Sequence, residues 1–129
     1  MMQRLKEKLN TSVLMITHDL GIVAQMCEKV AVIYAGEIVE FGTTEEIYDH
    51  TAHPYTQGLF GSLPKLNGTA KRLNAIKGLM PDPTNLPAGC KFCDRCPYAA
   101  ERCRQENPPA VEFTPGHLVK CFCPEVRKI

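Results

Sequence analysis

No stretch of the 129 residues approaches the roughly 18 uninterrupted apolar positions that a membrane-spanning helix requires. Nor does the amino terminus carry a basic segment followed by an apolar one, so neither a span nor an export signal is expected and the chain reads as cytoplasmic. Long runs of one charge are missing as well. The 15 basic and 14 acidic residues leave a formal net charge of +1, which gives no electrostatic reason to expect nucleic acid or anionic lipid as a partner. There is no internal repeat and no low-complexity tract. What remains is a chain of about one domain with an ordinary 44% apolar content, enough for a modest core.

What the chain has in excess is cysteine. Six of its seven (Cys90, Cys93, Cys96, Cys103, Cys121 and Cys123) fall in the last 40 residues, and Cys27 stands apart on an apolar helical stripe where a small core residue is expected. Without an export signal, metal ligation is the stronger reading of this cluster and a disulfide framework the weaker one. Thiolates this dense repel one another unless a soft cation neutralises them, as zinc and iron-sulfur clusters both do. Cys90, Cys93 and Cys96 make a Cys-x-x-Cys-x-x-Cys run ending in Cys96-Pro97, but no fourth cysteine arrives three residues later as in the bacterial ferredoxin pattern. Zinc is an alternative, with His117 near enough to Cys121 in sequence to compete as a ligand. Pro97, Pro108, Pro109 and Pro115 limit regular structure in this part of the chain.

Ahead of the cysteines the patterning is that of an α/β protein. Met2, Leu5 and Leu9 recur at helical spacing. The continuous apolar run over 12–16 predicts a strand of a parallel sheet, buried on both faces. Leu20, Val23 and Cys27 return to helical spacing with Asp19 as the cap. Two strand-like runs over 29–34 and 37–41 flank Ala35-Gly36, where a tight hairpin turn fits. Thr43 and Glu46 stand at capping-box spacing before a short helix, and Pro54 suits the first turn of another that buries Leu59 and Leu63 and ends at Pro64. The expected organisation is a first unit over 1–64, a proline-bearing linker over 65–88 and a cysteine-rich module over 89–129. His50 and His53 read as exposed loop or cap residues. Tyr34, Phe41, Tyr48 and Phe60 read as packing residues, with no basic stripe between them to suggest base stacking.

His18 follows the apolar run over 12–16, and ligands of open α/β sheets bind off the carboxyl ends of strands. A neutral imidazole there can hold a phosphate oxygen, although by itself one such histidine equally reads as a cap or a satisfied strand-end residue. The string Ile16-Thr17-His18-Asp19-Leu20-Gly21-Ile22-Val23-Ala24, followed by Val30-Ala31-Val32-Ile33-Tyr34-Ala35-Gly36-Glu37-Ile38-Val39-Glu40, resembles the histidine-switch segment and following hairpin of ABC transporter ATPases. His53-Pro54-Tyr55-Thr56, Ser62-Leu63-Pro64, Gly89-Cys90-Lys91-Phe92 and Arg95-Cys96-Pro97-Tyr98-Ala99 extend the likeness to the oligopeptide and dipeptide importer branch.

That resemblance implies the carboxyl-terminal part of a P-loop ATPase domain followed by a small irregular metal-binding module. His18 would contact the γ-phosphate of ATP, with magnesium in the complete subunit, and help position the hydrolytic water. A 4Fe-4S cluster would be held by Cys90, Cys96, Cys103 and Cys121, and Cys93 and Cys123 depart from that four-cysteine pattern. The implied partners are a second ATPase subunit and membrane permease subunits, at the inner face of the membrane and without contact to the peptide. The family's phosphate-binding loop, glutamine loop, Leu-Ser-Gly-Gly-Gln motif and Walker B carboxylates do not occur in these residues. The chain thus reads as a truncated subunit, a late internal start or an expressed fragment, and on its own it is expected neither to bind ATP tightly nor to hydrolyse it. A free-standing zinc-binding regulatory or interaction module is the competing expectation.

Overall fold

The computed structural model describes residues 11–63 and 76–124. The expected amphipathic helix through Leu5 and Leu9 lies outside them, as does the 65–75 part of the expected linker. Helix α1 (Leu20–Met26) starts where Asp19 accepts a hydrogen bond from the Ile22 amide at 3.0 Å, and it buries Val23. Strands β1 (Lys29–Tyr34) and β2 (Glu37–Thr43) pair antiparallel, with Tyr34 opposite Glu37. The intervening Ala35 and Gly36 have φ of 47° and 81°, the two positive values that a two-residue type I′ hairpin demands.

Thr43 ends β2 and caps α2 (Thr44–Asp49) through a full capping box with Glu46. Helix α3 (Pro54–Gly61) has Pro54 in its first turn, as the sequence predicts, but it buries Pro54 and Thr56. Leu59 is only half-buried, and Leu63 is 43% exposed rather than packed. After Gly89 come a single 3₁₀ turn (Cys93–Arg95), a short helix α4 (Glu101–Gln105) and a hairpin of β3 (Val111–Thr114) and β4 (His117–Val119), which turns at Gly116 with φ of 86°.

All four strands form one antiparallel sheet in the order β1-β2-β4-β3. Glu40 and Phe41 of β2 pair with Val119 and Leu118 of β4, so strands from both sides of the 65–88 stretch share a ladder. The fold is mixed α and β, but the expected buried parallel strand over 12–16 is absent. Residues 11–17 form no strand, and Val13, Leu14 and Ile16 are 51%, 91% and 95% exposed. A two-faced buried strand needs neighbours that supply ladder partners and cover both faces, and no described strand lies beside this one.

The core is built where the sheet meets the first cysteine turn. Tyr34, Val39 and Phe92 are buried together, and Cys90 and Cys96 pack against them. The rings of Tyr34 and Phe92 meet edge to face at 5.2 Å, while Tyr55 closes on both at 4.6 and 5.5 Å. Each such buried aromatic or aliphatic side chain stabilises the fold by about 1.5–3 kcal/mol. Arg95 adds a polar clasp, donating to the Ile76 and Lys77 carbonyls at 3.3 and 3.1 Å and to the Tyr34 hydroxyl at 3.3 Å.

Candidate functional site

Gly89 and Cys90 run directly against the backbone of α4. The Cys90 amide donates to the Cys103 carbonyl at 2.8 Å, and a β-carbon at Gly89 would lie 2.4 Å from that oxygen. Only glycine permits this approach, and the approach sets Cys103 beside the Cys90–Cys96 turn. That turn is held by successive backbone bonds from Cys93 to Cys90 and from Cys96 to Cys93. Cys121 is brought in from the other side, because the Lys120 amide extends the sheet ladder to the Val39 carbonyl at 2.8 Å. Lys120 is further fixed by its ion pair with Glu37, also at 2.8 Å.

The outcome is a cleft lined by all six clustered cysteines. The four positions expected as ligands, Cys90, Cys96, Cys103 and Cys121, share it with Cys93 and Cys123, and its apolar wall includes Phe92, Pro108 and Phe122. All seven cysteines are free thiols. Burial, reinforced by neighbouring thiols, holds Cys90 and Cys96 above the ordinary thiol range and pushes Cys121 up to about 11. Cys93 is raised by burial and by the adjacent Asp94 carboxylate. A cation entering the cleft would therefore have to displace thiol protons. Among the described residues no group of three His, Cys, Asp or Glu side chains converges tightly enough to hold one metal ion, so a metal-binding role of the module is not established by the geometry alone.

The histidines divide in a way their spacing does not reveal. His117 is fully buried, is absent from the cleft, and makes a 2.8 Å hydrogen bond from Nε2 to Glu40 while its ring meets Phe113 edge to face. The expected competition of His117 with the cysteines as a zinc ligand is corrected by that placement. His53 is a cap, as predicted, but is 1% exposed and walls the cleft instead of facing solvent. Its Nδ1 accepts from the Tyr55 amide at 3.0 Å, and burial lowers its pKa to about 4. His50 is exposed at the end of α2, and Cys27 is half-buried at the end of α1. His18 is exposed on the bend just before the Asp19 cap, apart from the cleft.

Sequence reasoning missed Glu40. It is fully buried and accepts from the Ala52 and His53 amides at 2.7 and 3.2 Å as well as from His117, so one carboxylate joins β2, the turn before α3, and β4. The only trace of this in the sequence is a charged residue at an inward position of an apolar strand, a signal that alternation alone assigns to solvent.

Residues 39–103, from β2 through α4, match the family described as the oligopeptide/dipeptide transporter C-terminal region. The match covers half of the chain. The protein belongs to that family. Similarity within it extends well beyond these residues. The chain is 44% identical over 122 residues to the oligopeptide transport ATP-binding protein AppD of Bacillus subtilis, covering 95% of this chain and 37% of the relative. It is 43% identical over 124 residues to the oligopeptide transport ATP-binding protein OppD of Escherichia coli, covering 96% and 36%. The dipeptide transport ATP-binding protein DppD of Lactococcus lactis is 47% identical over 122 residues, covering 95% and 35%. The chain thus spans little more than a third of the length of these relatives. Among the described residues no helix is long and apolar enough to cross a membrane.

Proposed function

We propose that this chain serves as the carboxyl-terminal part of an ATP-binding subunit that energises import of oligopeptides or dipeptides, and that its cysteine cleft holds a 4Fe-4S cluster through Cys90, Cys96, Cys103 and Cys121. The observation that carries the reading is that the family-matched residues contribute Cys90, Cys96 and Cys103 to one cleft, which Cys121 completes. A cluster and a zinc ion both draw on thiolates, and the cleft presents the four that the family resemblance assigns to the cluster. When bound, such a cluster would draw four thiolates together and staple the segments that carry them. The chain's own contribution is the Gly89 contact and the Lys120 ladder bond, which bring those segments within reach. Residues 89–129 then act as a stapled module, 65–88 as the connection, and 1–64 as part of the ATPase domain.

In the same reading His18 is the γ-phosphate switch. Its exposure at the amino end of α1 leaves the ring open to a nucleotide supplied with magnesium by the rest of the subunit. The partners are a second ATPase subunit and membrane permease subunits at the inner membrane face, and the peptide itself makes no contact.

Protein purified without oxygen should be brown and carry about four irons and four sulfides per chain. Serine at Cys90, Cys96, Cys103 or Cys121 should abolish iron retention, and serine at Cys93 or Cys123 should be tolerated. Stoichiometric zinc without iron or sulfide would instead establish the zinc module. Iron loss on Cys93→Ser alone would replace this ligand set with a ferredoxin-like one. In a subunit that also carries the phosphate-binding loop, His18→Ala should lower ATP hydrolysis by about 100-fold while leaving ATP binding intact.

A further inference from the structure

Arg95 stands between Cys93 and Cys96 on the 3₁₀ turn, yet its side chain reaches two other parts of the chain. Its Nε donates to the Lys77 carbonyl at 3.1 Å, and its terminal nitrogens donate to the Ile76 carbonyl and the Tyr34 hydroxyl, each at 3.3 Å. One rigid plane of donors thus holds two consecutive peptide groups and the buried end of β1. Gly78 admits the arrangement, since its φ is 85° and a β-carbon there would lie 3.3 Å from Arg95 Cγ. Ile76 is half-buried against Gly58, where α3 has no side chain, but Lys77 and Gly78 are exposed. Packing fixes Ile76, and the guanidinium is what holds the Lys77 carbonyl.

The backbone that carries Arg95 is a short turn. Its amide donates to the Phe92 carbonyl at 3.0 Å and the Cys96 amide to the Cys93 carbonyl at 3.2 Å, with Cys90 and Cys96 at the two ends. We propose that Arg95 is a latch coupling ligation of this turn to protection of the exposed Lys77–Gly78 peptide bond. A cluster that grips Cys90 and Cys96 keeps the turn closed and the bond covered, and its loss frees both. The ligation half rests on the iron-sulfur reading of the cleft, whereas the hold of Arg95 on 76–78 does not. A protease must take the scissile carbonyl into its own hydrogen bonds, so a carbonyl held by a guanidinium is cut only after local opening. The chain that has lost its cluster is then the one open to cleavage between the β1–β2 hairpin and the cysteine turn.

The test uses the full chain isolated without oxygen, in wild-type, Arg95→Lys and Gly78→Ala forms, each with its iron and after removal of iron by bipyridyl. Trypsin cleavage after Lys77 and after Lys29 in β1 is timed by mass spectrometry, each rate divided by that of a peptide of the same local sequence. In wild type, iron removal should speed cleavage after Lys77 about tenfold with Lys29 unchanged, as loss of charge-assisted hydrogen bonds allows. Arg95→Lys, whose single ammonium cannot replace the fork, should be cut fast with or without iron. Gly78→Ala, which disturbs the same contact with every cysteine untouched, should behave alike. A wild-type response to iron that persists in Arg95→Lys overturns the proposal, as does equal acceleration at Lys29 and Lys77, which marks general loosening. Wild-type protein isolated without iron would defeat the cluster reading and with it the ligation half. The metal-free comparison would still decide the latch, because equal Lys77 rates in wild type and Arg95→Lys would show that Arg95 holds nothing.

Discussion

Protonating Nδ1 of His53 removes the acceptor that caps α3 and places a charge in an apolar wall. Its folded pKa, lowered to about 4 by burial, lies below the ordinary histidine value of 6.5, so the unfolded chain binds the proton more readily. The stability this contributes is complete above about pH 6.5 and is lost as pH falls through about 4, amounting to about 3 kcal/mol at the extreme. Denaturant midpoints measured from pH 7 to pH 4 should fall in wild type, and His53→Asn should flatten that dependence. Glu40 offers a second check at this scale. Glu40→Ala strands two amides and an imidazole nitrogen in the interior, and a loss of about 3–5 kcal/mol, read by chemical denaturation, is expected. The six clustered cysteines were legible because their number and spacing are a signal in themselves. Glu40, His53 and His117 were not, since an isolated polar residue carries no local mark of the distant partner that buries it.

Local chemistry explains which elements could be read in advance. The Asp19 cap, the Ala35-Gly36 turn, the Thr43–Glu46 box and Pro54 at the start of α3 are each decided within a few residues, and each formed as expected. Strands β3 and β4 were hidden by their length of 4 and 3 residues and by the proline between them, and their pairing with β2 is a long-range choice. The run over 12–16 failed in the opposite sense, since its apolar pattern specifies burial only where other strands are present to provide it. Two substitutions test this scale. Thr43→Ala should cost about 1 kcal/mol through the lost cap. Gly89→Ala should cost more, because the atoms it meets are the Cys103 and Arg104 backbone, which cannot swing aside. Its signature should be local: faster proteolysis between 89 and 124, with the β1–β2 hairpin still protected from amide exchange.

At the scale of the whole molecule the exposed apolar run has a measurable cost. Val13, Leu14 and Ile16 are open to solvent, and exposed apolar side chains of this size favour self-association. The chain alone should bind a hydrophobic dye and aggregate with rising concentration, and Leu14→Ser with Ile16→Ser should reduce both without moving the melting temperature. A wild-type chain that stays monomeric and binds no dye would show that this run is covered.

The sheet order also fixes a sequence of events during synthesis. The partner that Glu40 finds in His117 lies 77 residues further along the chain. At ribosomal rates of about 5–20 residues per second, β2 waits on the order of ten seconds, and the first cysteines a few seconds, before β4 exists to close the ladder. Throughout that interval the β1–β2 hairpin can form but its inner edge stays open, and the thiols from Cys90 to Cys103 emerge before Cys121 can join them. Nascent chains stalled before residue 117 should therefore show a protected hairpin, labile thiols and an unpaired strand edge within reach of chaperones, and release past residue 121 should change all three together.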